Sequence, residues 1–338
     1  MNAGSSDVRL RATSLLAVLI GAGTVILYSS SLEHRQRYEE ADIAKLAALT
    51  GVDHSTIFFH GYTKSGYVRD GQFHPLVLVD RKESRAVWCK GRAPSRAGSR
   101  IAYVIPTDDQ ARCRILLRDL ETDADRPLVD VVESWGPLSW SWDDTEIAYQ
   151  RQGGIFAVST SDGRERRVAR LPLQVNGRQP SGTWRVASIE WFHRRPELLA
   201  DVDICVPTGE PGECRQTGHV LMLGPDDSRI LALGRGAAIS PKRNQIAFLT
   251  SSSAQLIDAD TSSKRRITSV PFYILSIPPF LREETGWSKV VWSPQGDRFW
   301  FSTVLDEELN SHYYLVDLRD GKRRRVLKNT SIEISAWR

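Results

Sequence analysis

The decapeptide WSPQGDRFWF, Trp292–Phe301, has a close counterpart in WSWDDTEIAY, Trp140–Tyr149. A chain that writes one short pattern twice at such a distance is built from repeated units, and its fold must be an array of them. Aligning on Trp292 brings further copies into register. Trp191 opens WFHRRPELLA, Ile239 opens ISPKRNQIAF, and Pro94 opens the degenerate PSRAGSRIAY. Each is a short polar turn followed by an alternating apolar strand. About one strand later comes a second signal: IFAVSTSDGRERRVARL after Trp140, QLIDADTSSKRRIT after Ile239 and YLVDLRDGKRRRVL after Trp292. In each of these a strand, a tight turn with Asp, Ser or Gly, and another strand follow in order.

The unit is therefore four short strands in roughly 40–50 residues, the signature of a propeller blade. Five complete units fit between Arg92 and Leu327. The sixth is split. SIEISAWR supplies an inner strand with Trp337 at the repeat tryptophan position, and DHSTIFFHGY supplies the turn and second strand that this copy lacks. Together they complete one blade, so the ring has no unpaired sheet edge. The expected fold is all-β, a six-bladed β-propeller over residues 50–338 closed by pairing of its N- and C-terminal strands. Another all-β array with the same tryptophan patterning is the competing architecture.

The W-S-x-D/G-x-x-ϕ-A-ϕ pattern resembles the TolB-type propeller repeats of bacterial exported proteins, over about Ile57–Arg338. The small α/β domain that precedes the propeller in TolB is absent here, so its Pal binding is not carried over. The resemblance implies an exported, six-bladed binding module.

The N-terminal part differs in character. Arg9 and Arg11 precede an unbroken uncharged run from Ala12 to Tyr28. Its length is near the lower limit for crossing a bilayer, about 17–25 residues. The run is long for a signal-peptide core, and Ser29 and Ser31 make an unusual cleavage site. A membrane anchor over residues 1–31, with a transmembrane helix at 12–28, is therefore expected; a cleaved signal peptide is the alternative. Residues 32–49 lack Gly and Pro and read as a juxtamembrane helix or linker. Either reading of the N-terminus places the propeller in the periplasm or outside the cell.

Let the strands of a blade be a to d from the axis outward. The a–b and c–d turns then lie on one face, and the b–c loops and blade-to-blade connections on the other. The a–b turns are short. The long segments Gly61–His74 and Val206–Glu213 read as b–c loops, and Pro172–Val186 and Val270–Lys289 as connections, so all four fall on one face. Long loops on a rigid scaffold commonly carry function. Phe272, Tyr273, Phe280 and Trp287 in the last segment, with Trp184, are the candidate partner-binding residues. They form either a hydrophobic ridge for an unknown protein partner or a flap packed over the ring.

No linear motif marks an enzyme: G-x-S-x-G, H-E-x-x-H, P-loop and G-x-G-x-x-G are all missing. No catalytic, cofactor-binding or metal-ligating residue is assigned. The histidines are scattered, and Asp143–Asp144 fall in a short turn that favours Asp for its own geometry. A formal charge of +4 is too mild to imply nucleic acid. The runs Arg164–Arg167, Lys264–Arg266 and Lys322–Arg325 read as charge guarding outer edge strands. Cys205 and Cys214 sit at the two ends of one b–c loop and are expected to form a disulfide; nothing is expected of Cys89 and Cys113. The functional expectation is a membrane-anchored, extracytoplasmic protein-binding or scaffolding propeller. The alternative is a propeller hydrolase or lyase with its site at the mouth of the central channel.

Overall fold

The computed structural model describes residues 36–52, 54–60, 64–76, 91–107, 112–132, 137–151, 154–170, 183–193, 195–207, 214–225, 228–269, 289–304, 311–330 and 332–338. Within them the chain forms one helix, α1 (residues 36–52), and then strands only. β1 (Thr56–His60), β2 (Ser65–Arg69) and β3 (Gln72–Pro75) come first. Blade 1 is β4 (Arg92–Pro94), β5 (Arg100–Pro106), β6 (Cys113–Asp119) and β7 (Asp125–Val132). Blade 2 is β8 (Leu138–Trp140), β9 (Glu146–Arg151), β10 (Gly154–Ser159) and β11 (Glu165–Arg170). Blade 3 is β12 (Thr183–Trp191), β13 (Leu198–Pro207), β14 (Cys214–Leu223) and β15 (Ser228–Leu233). Blade 4 is β16 (Arg235–Ile239), β17 (Gln245–Leu249), β18 (Ser253–Asp258) and β19 (Lys264–Ser269). Blade 5 is β20 (Val291–Trp292), β21 (Arg298–Val304), β22 (Ser311–Asp317) and β23 (Arg323–Thr330), and β24 (Glu333–Trp337) ends the series.

All six inner strands end at the aligned repeat position: Pro94, Trp140, Trp191, Ile239, Trp292 and Trp337. The serine that follows turns the chain. At Ser95, Ser141, Ser240 and Ser293 the backbone N–H donates to the carbonyl five residues on. The Oγ of Ser95, Ser141 and Ser293 accepts the N–H of that same residue. Three residues after the serine the backbone is left-handed at Gly98, Asp144 and Gly296, with φ of 69°, 56° and 67°. Glycine meets no steric penalty there, and aspartate tolerates that region better than most residues. The repeat's small or acidic turn residue is thus a backbone requirement.

The tryptophans join blades. Trp140 Nε1 donates to the Ala93 carbonyl of blade 1 at 2.7 Å, and Trp292 Nε1 to the Ala238 carbonyl of blade 4 at 2.9 Å. Apolar packing follows the same scheme. The six buried clusters among the described residues each draw on two adjacent blades. The inner strands neighbour one another in a closed circuit, from β4 through β8, β12, β16 and β20 to β24 and back to β4.

β24 pairs antiparallel with β1, Ile57 opposite Trp337, so the closing blade runs β24-β1-β2-β3 as the split repeat predicts. Trp337 is buried, its indole donates to Ser55 Oγ at 2.6 Å, and it meets Trp300 of blade 5 edge-on at 5.6 Å. The basic runs start the outer strands β11, β19 and β23. Arg166 of β11 forms a two-pronged ion pair with Glu146 across its own sheet.

Two expectations are corrected. The first is the transmembrane helix. Among the described residues no helix is long and apolar enough to cross a membrane. The one helix, α1, is short and carries Arg37, Glu39, Glu40, Asp42 and Lys45. It places Ile43 and Leu46 in the seam between blade 5 and the closing blade, with Glu40 paired to Lys64 and Thr50 accepting the Gly71 N–H. Residues 12–28, on which that expectation rested, lie outside the described residues. The second is the segment Gly61–His74, which is not one long loop. It contains β2, the turn Asp70–Gly71 and most of β3. Asp70 and Gly71 both have positive φ, 49° and 77°, as a two-residue hairpin turn requires.

Closure generates a prediction. Trp337→Ala removes a fully buried side chain and should lower stability by ~3–5 kcal/mol. Deleting residues 331–338 should abolish the single cooperative transition in urea. A deletion variant with the full-length midpoint would show that the ring does not depend on β24.

Candidate functional site

The inner strands enclose a narrow axial channel with a free volume of about 70 Å³. Small residues such as Ala93, Ser139, Ser188, Ala237 and Ser335 make much of its wall. Charge is confined to its ends. Arg92 opens β4 and Lys289 precedes β20, where the chain enters blades; Arg96 and Arg338 lie just past the ends of β4 and β24, at the a–b turns. Glu190, the penultimate residue of β12, lines the channel near the second pair.

Arg96 crosses two blades. Its Nη2 donates to the Trp191 carbonyl at 3.3 Å and lies 3.8 Å from Glu190 Oε1. Its guanidinium stacks on Trp142 at 4.3 Å, and Trp142 meets His193 edge-on. The backbone N–H groups of Arg96 and Ala97 donate to the two carboxylate oxygens of Asp144. Glu190 Oε2 accepts the Ile239 N–H at 2.8 Å. Arg338 makes no side-chain hydrogen bond or ion pair with a described residue, and the Nε atoms of Arg96 and Arg338 are buried without a partner. Burial, and then the neighbouring charge of Arg96, pull the Arg338 guanidinium down to about 10. Burial lowers Arg96 likewise.

Blade 3 carries a second constellation. β13 and β14 have ten residues each, where the b and c strands of the other blades have five to seven. The hairpin thus runs at least three residues past its neighbours, roughly 10 Å at ~3.3 Å per residue, on the face of the b–c loops. β13 also holds two buried carboxylates in an otherwise apolar run. Asp201 Oδ2 accepts the Ala237 N–H at 2.9 Å and the Ser188 hydroxyl at 3.2 Å. Both partners sit at bulges in the inner strands β12 and β16. Asp201 Oδ1 is buried without a partner, and burial drives the carboxyl up to about 7. Asp203 pairs with Arg235 at 3.2 Å; burial raises it, and Arg235 opposes that rise.

Of the residues marked from sequence, Trp184 lies in β12, half-buried against the seam of blades 2 and 3. Phe272, Tyr273, Phe280 and Trp287 lie outside the described residues. Cys205, in β13, is disulfide-bonded, and so is Cys113 in β6. Among the described residues no group of three His, Cys, Asp or Glu could hold a metal ion. Arg96, Glu190 and Arg338 were missed, although each lies within two residues of an aligned repeat position. Comparing the residues that flank the six positions would have shown charge where a propeller points inward. Asp201 and Asp203 were visible as acids inside LLADVDIC.

No family model matches the chain, and no curated protein matches it. Solved structures do match. One of a nidogen/laminin complex aligns over 84% of this chain and 97% of that one, at 10% identity and a TM-score of 0.54. TolB from Acinetobacter baumannii aligns over 84% of this chain and 65% of that one, at 13% identity and a TM-score of 0.49. An oligogalacturonate lyase in complex with manganese aligns over 80% and 72%, at 14% identity and a TM-score of 0.45. At these identities the likeness is one of fold, and the fold is a β-propeller.

Asp201 predicts a pH dependence. Burial pushes its carboxyl up to about 7 in the fold, from an ordinary 3.8. Between those values the folded state holds a proton that the unfolded chain has lost, so stability falls as pH rises. Above about pH 7 the full penalty of the buried charge is present. Asp201→Asn should flatten the slope between pH 4 and 7, a change of order ~3–5 kcal/mol, read from urea midpoints across pH. An unchanged slope would show that Asp201 stays ionised in the fold.

Proposed function

We propose that this propeller is a binding module outside the cytoplasm that holds a protein partner on its b–c loop face. The observation that carries the reading is the blade 3 hairpin. It projects past the ring on that face and carries a disulfide-bonded Cys205. A rigid hairpin that stands proud loses little entropy on docking, which favours its use as a contact element. Trp184 lies at its base, opposite Ile204.

Disulfides persist in oxidising compartments, which supports export. The pairing expected for Cys205 is Cys214. In the hairpin Cys205 lies opposite Gln216 and Pro207 opposite Cys214, so the two cysteines are diagonal neighbours on one side of the ladder. Peptide mapping of non-reduced protein should recover a Cys205–Cys214 cross-link. A Cys205 linked elsewhere would remove the staple from this hairpin.

The charges at the axial mouth favour a ligand there as well, but as a binder. Arginine stays protonated and does not shuttle protons, and one Glu190 oxygen accepts a backbone N–H while the other faces Arg96. The partner reading is tested with a photo-crosslinking residue in cells that express the protein. Placed at Thr217, opposite Ile204 in the hairpin, it should capture a discrete adduct. Placed at Lys322, on the opposite face, it should capture none. Equal capture at both positions, or none at Thr217, would sink the assignment of the face.

A further inference from the structure

We propose that the a–b mouth of the axial channel is an oxyanion site, in which Arg96 and Arg338 grip a carboxylate or phosphate group of a small ligand. The site is on the face opposite the hairpin and stands or falls apart from the partner. Three observations carry it. At this mouth the channel lining holds two cations, Arg96 and Arg338, against the single carboxylate of Glu190. The two arginines at this mouth come from different blades, yet are close enough for the charge of Arg96 to disfavour that of Arg338. Both keep a buried Nε–H without an acceptor, and Arg338 has no polar side-chain contact with any described residue.

The acids nearby do not fill that role. Asp144 attracts both guanidiniums, but each of its oxygens is taken by a backbone N–H of blade 1. Glu190 divides itself between the Ile239 N–H and Arg96. The Nε–H and Nη–H of an arginine form the planar fork that binds carboxylate or phosphate in two-pronged fashion. Bringing two guanidiniums out of water beside one another is costly, and an anion between them offsets that cost. Size sets a further limit. The cavity at the axis is small, about 70 Å³, so the site takes one oxyanion group with the rest of its bearer at the mouth. The Trp142 ring beneath Arg96 holds that guanidinium in place as the group enters.

The test is calorimetric titration of the full chain with inorganic phosphate and with malonate, at constant ionic strength set by chloride. One or both should bind saturably and raise the melting temperature. The preferred anion identifies the phosphate or carboxylate class. Arg338→Gln should weaken that binding at least tenfold. Glu190→Gln keeps an acceptor for the Ile239 N–H and removes the competing charge, so it should tighten binding several-fold. It also keeps the proposal testable should Arg338→Gln fail to fold. Binding no stronger than that of chloride, equal affinity in Arg338→Gln, or no gain in Glu190→Gln would each overturn the site.

Discussion

Each blade of this ring buries its faces on its neighbours, and that dependence shapes everything else. The apolar clusters lie in the seams, so a blade without its neighbour exposes a core. The indole bonds from Trp140 and Trp292 run across seams too. An array of this kind gains stability with every seam and is complete only when the last is made. Here the last seams involve a blade assembled from both ends of the chain, where β24 meets β1 and Trp337 meets Trp300. α1 adds Ile43 and Leu46 to one of them, which makes the helix part of the ring's packing.

A closed ring of six inner strands leaves little space at its axis, and what points there is held by six separate pieces of backbone. A side chain on that axis has few rotamers to choose and limited access to water. This is why Arg96, Glu190 and Arg338 hold their places, and why the charges on them matter more than the same charges on β11 or β23. Arg166 on the outer edge has Glu146 and open solvent. Arg338 at the axis forms no ion pair with a described carboxylate, and its Nε is buried.

Much of the fold was legible because its devices are local. The serine turn, the left-handed residue three positions later and the strand that follows are all written within ten residues. The split blade was legible because each end lacks what the other has. The closing blade's b–c region was misread because its strands are short and polar: QFHP has neither the length nor the alternation of a buried strand. α1 was legible as a helix, but its docking was not, since the seam it fills is assembled from residues far along the chain. The axial site was the least legible. Arg96 and Arg338 lie near opposite ends of the propeller, and each alone is one arginine in a turn. Their meaning comes from convergence, which only the closed ring supplies.

The two constellations meet in blade 3. Asp201 takes its hydrogen bonds from Ser188 and from the Ala237 N–H, and both residues line the channel. Two residues on, Asp203 reaches Arg235 toward the hairpin face. β13 therefore makes polar contacts with both β12 and β16 within three residues. A change of charge at Asp201 alters the bonds that hold two bulges in the inner strands, and so the wall of the channel. Burial pushes its carboxyl up to about 7, so that change falls near neutral pH. The seam between blades 3 and 4 is thus where the state of one buried carboxyl bears on the wall of the channel.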